Sequence, residues 1–122
     1  MRVSFAAVVC LALAPDVWAQ DADPDIAIAA ATNQQGLIEY CIVEGHASPD
    51  TAQAQARVIA SFPTPTNPTL SAEAYRKGQS GILSAMGMEK PLTDAAREQG
   101  VTLADLCQQL AIAADQAAAQ LP

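Results

Sequence analysis

Apolar residues recur at spacings of three and four along most of the chain, a pattern typical of helices that bury one face. The pattern predicts a first helix from about Asp25 to Glu44, which follows a short flexible tail at 20–24. The polar stretch 33–36 interrupts the apolar face. It could split the helix, because its glycine disfavours helix by about 1 kcal/mol relative to alanine. Gly45 then supplies a helix stop of a common kind.

A second helix is predicted after the sequence Ser48, Pro49, Asp50. Serine caps helix N-termini, proline fits the first helical position, and a carboxylate interacts favourably with the positive end of the helix dipole. We expect this helix to reach about Ser61. The following segment 62–69 contains three prolines, which exclude a regular helix interior or a central strand and predict an extended connector within one domain.

The third predicted helix runs from about Ser71 to Met86 and is ended by Gly87. Two glycines, Gly78 and Gly81, lie inside this prediction. Internal glycines weaken a helix unless another backbone passes close by, so they indicate a tight crossing with a neighbouring helix.

The C-terminal third of the chain predicts a turn at 88–91, a short helix over 93–100 and a last helix over 103–120. Thr102 precedes the last helix, and Asp105 follows three residues later. This spacing is that of a capping box with aspartate in the place of glutamate.

These elements predict a small all-α domain of four to five helices over residues 20–122. The composition agrees, since 51% of the residues are hydrophobic and only 4% are aromatic, which favours helices over strands. Six Lys and Arg against 13 Asp and Glu give a net charge of −7. The basic residues form no patch, so we expect no binding to nucleic acid.

The first 19 residues have the order of parts of a cleavable secretory signal: Arg2, an apolar stretch at 3–14, and a small residue at the end. We expect cleavage between Ala19 and Gln20, and a periplasmic or secreted product without stable membrane insertion. The apolar stretch is shorter than the roughly 20 residues that a membrane span needs. The alternatives are a lipoprotein acylated at Cys10 and a helix retained in the mature fold.

Removal of the signal leaves one pair of cysteines, Cys41 and Cys107, which we expect to form a disulfide in an exported protein. The bridge would tie the first helix to the last. It closes a loop of 66 residues, for which chain entropy predicts roughly 4 kcal/mol of stabilisation. A metal site with His46 as a third ligand is the alternative, but it lacks a fourth strong ligand.

The chain shows no catalytic motif. His46 is its one histidine, and no Gly-x-Ser-x-Gly elbow, Cys-x-x-Cys pair or phosphate-binding glycine loop accompanies it. We therefore predict that the protein is not an enzyme and uses no cofactor or metal, and that His46 lies exposed in a loop.

In architecture the chain is similar to the small periplasmic acid-stress chaperones, which are exported, helical and tied by one disulfide. The resemblance rests on Cys41 and Cys107, whose spacing is longer than in that family. We predict a small exported non-catalytic protein that binds another protein in the cell envelope. The alternatives are an acid-stress chaperone of the periplasm, as the resemblance implies, and a small exported enzyme.

A candidate interaction stripe follows from the apolar faces of the predicted third and last helices. It comprises Ile82, Leu83, Leu106 and Leu110. The envelope partner is unidentified, and homo-oligomers remain open.

Overall fold

The computed structural model describes residues 23–85 and 87–122, which form five helices and a two-stranded antiparallel sheet. The elements in chain order are α1 (Pro24–Val43), α2 (Pro49–Ala60), α3 (Pro68–Gln79), β1 (Ile82–Ala85), β2 (Met88–Pro91), α4 (Leu92–Gln99) and α5 (Leu103–Ala119). The prediction of a small all-α domain is confirmed, with a short hairpin inserted between α3 and α4.

Three helices begin with a proline at their first position: Pro24, Pro49 and Pro68. Proline is suited to this position because its missing N–H would have no partner within the helix. At α1 the Asp23 side chain also accepts a hydrogen bond of 2.9 Å from the backbone N–H of Asp25. The first helix thus starts one residue before the predicted position.

The end of α1 and the start of α5 follow their sequence signals. Gly45 has a positive φ of 82°, and its N–H donates to Ile42 O at 3.0 Å. A glycine in this left-handed conformation satisfies the last carbonyls of a helix without a Cβ clash. At α5, Thr102 and Asp105 form the predicted capping box, in which each side chain bonds the backbone N–H of the other.

Helices α2 and α3 both pack against α1. The Gln55 side chain of α2 donates a 2.9 Å hydrogen bond to Ala31 O in α1. The connector at 61–67 then leads to α3, which runs parallel to α1 and packs against it. Helix α5 packs against α1, α2 and α4.

The third predicted helix is wrong in its second half. Helix α3 starts at Pro68 and ends at Gln79, and strands β1 and β2 occupy most of the predicted remainder and the predicted turn at 88–91. Gly81 adopts a φ of 79°, which ends the helical path. A short apolar run such as the one after Gly81 is ambiguous between helix and strand, and here the tertiary contacts select the strand.

A buried cluster, which we call the disulfide core, joins α1, α4 and α5. It comprises Leu37, Cys41, Leu92, Ala95, Ala96, Leu106 and Cys107. The Cys41 and Cys107 sulfurs are bonded at 2.12 Å, and both residues are fully buried. The predicted disulfide is confirmed, and it connects the first helix to the last.

Candidate functional site

Helices α1 and α3 touch backbone to backbone at two glycines. A Cβ added to Gly36 would lie 2.3 Å from Tyr75 O, and one added to Gly78 would lie 2.3 Å from Asn33 O. The tight crossing predicted from Gly78 is therefore present. The predicted break at Gly36 is absent, because α1 continues through it and the missing side chain lets α3 approach.

Asn33 links three elements through one side-chain amide. Its Nδ2 donates to Ala74 O in α3 at 2.9 Å and to Ile82 O in β1 at 3.0 Å, while its Oδ1 accepts from the Ser84 N–H at 3.0 Å. Asn33 is only 1% exposed. The Asn33 side-chain amide bonds the Ile82 carbonyl and the Ser84 N–H as the backbone of a neighbouring strand would. It therefore occupies the edge of β1 that does not pair with β2.

The hairpin presents its two faces to different parts of the molecule. Ser84 pairs with Glu89, and Leu83 pairs with Lys90. Because successive side chains of a strand point to opposite faces, Ser84 and Glu89 lie on the side of α1 and α3, while Leu83 and Lys90 lie on the side of α4. Two open grooves result, one on each side of the hairpin.

The larger groove, which we call the α1–α3 groove, lies between α1, α3 and the hairpin and has a volume of about 510 Å³. Its lining residues are Ile26, Ala29, Ala30, Leu70, Glu73, Ala74, Lys77, Ser84, Ala85, Gly87 and Glu89. Small apolar residues dominate this surface. Two larger apolar side chains flank it, Ile26 at 49% exposure and Leu70 at 37%.

The charged residues of the α1–α3 groove are two carboxylates and one ammonium group. Lys77 Nζ lies 2.7 Å from Glu89 Oε1, so the pair connects α3 to β2 across the groove. The hydrogen bond to Glu89, reinforced by the charges of Glu89 and Glu73, raises the pKa of Lys77 above its ordinary value. Counted formally, with Lys77 against Glu73 and Glu89, the groove has a charge of −1.

The smaller groove, which we call the α4 groove, lies between the hairpin and α4 and has a volume of about 350 Å³. It is lined by Leu83, Ala85, Met88, Lys90, Ala95, Glu98 and Gln99. Lys90 pairs with Glu98 across it. Met88, the most exposed apolar residue of this lining, forms part of its apolar surface.

The buried carboxylate of Asp25 holds the connector at the start of α1. It accepts hydrogen bonds from the Thr66 hydroxyl, from the Thr66 N–H at 2.9 Å and from the Asn67 N–H at 3.0 Å. The Thr66 hydroxyl, opposed by desolvation and assisted by the two backbone N–H groups, lowers the pKa of Asp25 below its ordinary value. We call this arrangement the connector clasp. It joins the ends of α1 and α3 at which Ile26 and Leu70 flank the α1–α3 groove.

Polar groups also lie at the contact of α1 and α3. The neighbouring Glu39 carboxylate, together with partial burial, raises the pKa of Tyr75 to about 12. Within the described ranges, three buried side-chain oxygens have no hydrogen-bond partner: Gln35 Oε1, Glu39 Oε2 and Ser71 Oγ.

The predicted interaction stripe does not form one surface in this state. Ile82 and Leu83 lie in β1 rather than in a helix, and Leu83 lines the α4 groove. Leu106 is 7% exposed in the disulfide core, and Leu110 packs against that core. The prediction that Ile82 and Leu83 lie in a helix is therefore wrong.

Sequence reasoning missed Asn33 and Asp25 as organising residues. Asn33 belongs to the polar stretch 33–36, which by itself predicts an interruption of the helix. A polar residue one helical turn before a glycine, inside an otherwise apolar helix, is the signal that could have indicated a buried contact. Asp25 carried no such signal, because an acidic residue in the first turn of a helix is common.

The remaining sequence predictions are placed as follows. His46 lies exposed in the loop after α1, as predicted. The cleavage site at Ala19 and Gln20 lies outside the described residues. Among residues 23–85 and 87–122, no three or more His, Cys, Asp or Glu residues cluster as a metal site would require, and no helix has the length and apolar character to cross a bilayer.

Comparisons of the chain with protein-family models, with curated proteins and with solved structures each give no match.

Proposed function

We propose that this protein is a small exported, non-catalytic protein that binds another protein of the cell envelope through the α1–α3 groove. The observation that carries the proposal is the open apolar groove with its two exposed neighbours, Ile26 and Leu70. Exposed apolar surface bordered by polar groups is typical of protein interaction sites.

The groove is preformed rather than dependent on a partner for its shape. Gly36 and Gly78 bring the two helices into backbone contact, and Asn33 ties the hairpin to both of them. A preformed surface loses less conformational entropy on binding, so a modest contact area can give useful affinity.

The periplasmic or secreted location is supported by the N-terminal sequence 1–19 and by the buried disulfide, which is compatible with an oxidising compartment. If export occurs as proposed, the intact mass of the exported protein corresponds to a chain that begins at Gln20. An exported protein that retains Met1 contradicts the cleavage.

A photo-crosslinking pair tests the binding site. Ala30 lines the α1–α3 groove, whereas Ala113 is exposed on α5, no residue of which lines the groove. A photoreactive phenylalanine analogue at position 30, in the full chain expressed with its own N-terminal segment, should give a discrete crosslinked envelope protein, and the same analogue at position 113 should not. Equal crosslinking from both positions, or none from position 30, contradicts the proposal.

The connector clasp supports a second candidate function, that of an acid-stress chaperone. Protonation of Asp25 would weaken its bonds to Thr66 and Asn67 and loosen the connector beside the groove. Because the pKa of Asp25 is lowered, this would occur only in strong acid. Light scattering of an aggregating client protein at about pH 2–3 tests it: equimolar protein should suppress the scattering, and no suppression rejects this function.

A further inference from the structure

We propose that the element bound in the α1–α3 groove is a basic amphipathic helix of the partner protein. This inference rests on the proposed function and specifies the chemistry of the partner. Three independent features of the groove support it: the closed edge of the hairpin, the small residues of the surface, and the sign of its charge.

The β1 edge of the hairpin, which lies against α1, cannot accept an extended peptide as an additional strand. Strand addition needs free backbone groups at a sheet edge. On β1, the carbonyl of Ile82 and the N–H of Ser84 already bond to Asn33. On β2, Pro91 has no N–H to donate. The groove is therefore suited to side-chain recognition, which an inserted helix provides.

The shape of the groove fits a helix that brings large apolar side chains. Its surface contains alanines from both parallel helices, among them Ala29, Ala30 and Ala74. Small residues leave space into which the side chains of a partner can project. From Leu70 to Lys77 the wall formed by α3 is about two helical turns, or roughly 10 Å, which matches anchors spaced at i, i+3 or i+4, and i+7.

The charges favour a basic partner. Glu89 already holds Lys77 at 2.7 Å, and Glu73 adds a further carboxylate to the groove. The whole chain has a net charge of −7. Lysine and arginine beside the apolar anchors of a partner helix would meet Glu73 at the groove and the negative field of the whole chain, whereas a second copy of this acidic chain would be repelled.

Two designed peptides test the inference directly. Each has about 18 residues, enough for measurable helicity, and a leucine face at i, i+3, i+4 and i+7. One peptide carries lysine on its polar positions and the other carries glutamate. Binding to the full oxidised chain is measured by calorimetry at low and at physiological salt. We expect the lysine peptide to bind at least tenfold more tightly than the glutamate peptide, with an affinity that falls as salt rises.

Matched variants locate the binding. Ala30→Lys and Glu73→Lys should each weaken binding of the lysine peptide by about tenfold, a loss of 1.4 kcal/mol. Ala113→Lys and Asp115→Lys introduce the same changes of charge at exposed positions of α5, a helix that lines neither groove, and each should change the affinity less than threefold. Far-UV circular dichroism checks that all four variants remain folded.

The outcomes separate this inference from the proposed function. Equal binding of both peptides, or equal losses in the groove variants and their controls, overturns the basic-helix inference. The inference also fails if neither peptide binds while position 30 still crosslinks a partner; the proposed function then stands. If sedimentation shows that the crosslinked species is a second copy of the chain, both are overturned.

Discussion

The two ends of α1 are held in different ways. Its C-terminal half enters the disulfide core, where Leu37 and Cys41 are completely buried and a covalent bond reaches α5. Its N-terminal half meets the connector through Asp25 and meets α3 and the hairpin through the amide of Asn33, and it leaves a groove of about 510 Å³ open beside Ile26. The disulfide core thus excludes water, whereas the groove near the start of α1 presents apolar surface to it.

This difference shows how a small chain can keep an apolar groove open without collapse. Burial of large apolar side chains is limited in a domain of this size, so each covalent or polar constraint contributes a large share of the stability. The disulfide core anchors one end of α1. At the other end, directional hydrogen bonds from Asn33 and Asp25 keep α3, the connector and the hairpin at fixed positions around the groove.

The largest expected effect comes from removing the covalent anchor. The double variant Cys41→Ala and Cys107→Ala should lower the free energy of unfolding by about 4 kcal/mol, because the bridge closes a loop of 66 residues. Urea denaturation followed by circular dichroism measures the loss. A loss below about 1 kcal/mol would show that the disulfide core does not depend on its bridge.

The backbone contact of α1 and α3 is next in size. Gly78→Ala places a Cβ at 2.3 Å from Asn33 O, so we expect a loss of about 3 kcal/mol as the helices move apart. Gly45→Ala is the control, since a Cβ there meets no atom within 4 Å and the cost is the left-handed conformation alone, about 1 kcal/mol. Equal losses in the two variants would contradict a specific helix contact.

Replacement of Asn33 should show most clearly whether the hairpin beside the groove and the disulfide core unfold separately. Asn33→Leu leaves the Ile82 carbonyl and the Ser84 N–H without partners, at a cost of about 2 kcal/mol. Hydrogen exchange should show lost protection at the Ser84 amide, while amides around Cys107 keep theirs until global unfolding. Uniform loss of protection in both regions would show that they unfold as one unit.

The smallest effect is expected at the connector clasp, and it depends on pH. The pKa of Asp25 is lower in the folded chain than in the unfolded chain, so its stabilisation is present above the unfolded pKa of about 3.9 and is lost as the pH falls through the folded value. Asp25→Asn should therefore be less stable than the wild type at pH 7, and this difference should shrink toward pH 2. Denaturation curves across this range measure it.

The exposed Asp50 in the first turn of α2 provides the matched control for this pH dependence. Asp50→Asn makes the same change of charge in the first turn of a helix, but Asp50 does not accept the three hydrogen bonds that Asp25 accepts. The difference in free energy of unfolding between Asp50→Asn and the wild type should therefore vary less with pH. A difference between Asp25→Asn and the wild type that stays constant from pH 2 to pH 7 would contradict the clasp.

Much of the architecture follows from local signals in the chain. Pro24 and Pro49 mark the starts of two helices, Gly45 marks an end, and Thr102 with Asp105 marks the start of α5. These signals act through hydrogen bonds and φ angles within a few residues, so the sequence alone carries them. The pairing of the cysteines is equally determined once the N-terminal segment is set aside.

The position and shape of the α1–α3 groove depend on contacts between residues far apart in the sequence. Ile82 to Ala85 form a strand because Gly81 turns the chain and Asn33, about 50 residues earlier, bonds the edge of that strand. Gly36 stays inside α1 because Gly78 of α3 packs against it where the two helices touch. Local propensity differs by only about 1 kcal/mol between such alternatives, which is less than the tertiary contacts contribute here. The sequence therefore determined the bridge and most helix ends, and only the tertiary structure decided where the hairpin forms and where an apolar surface stays open.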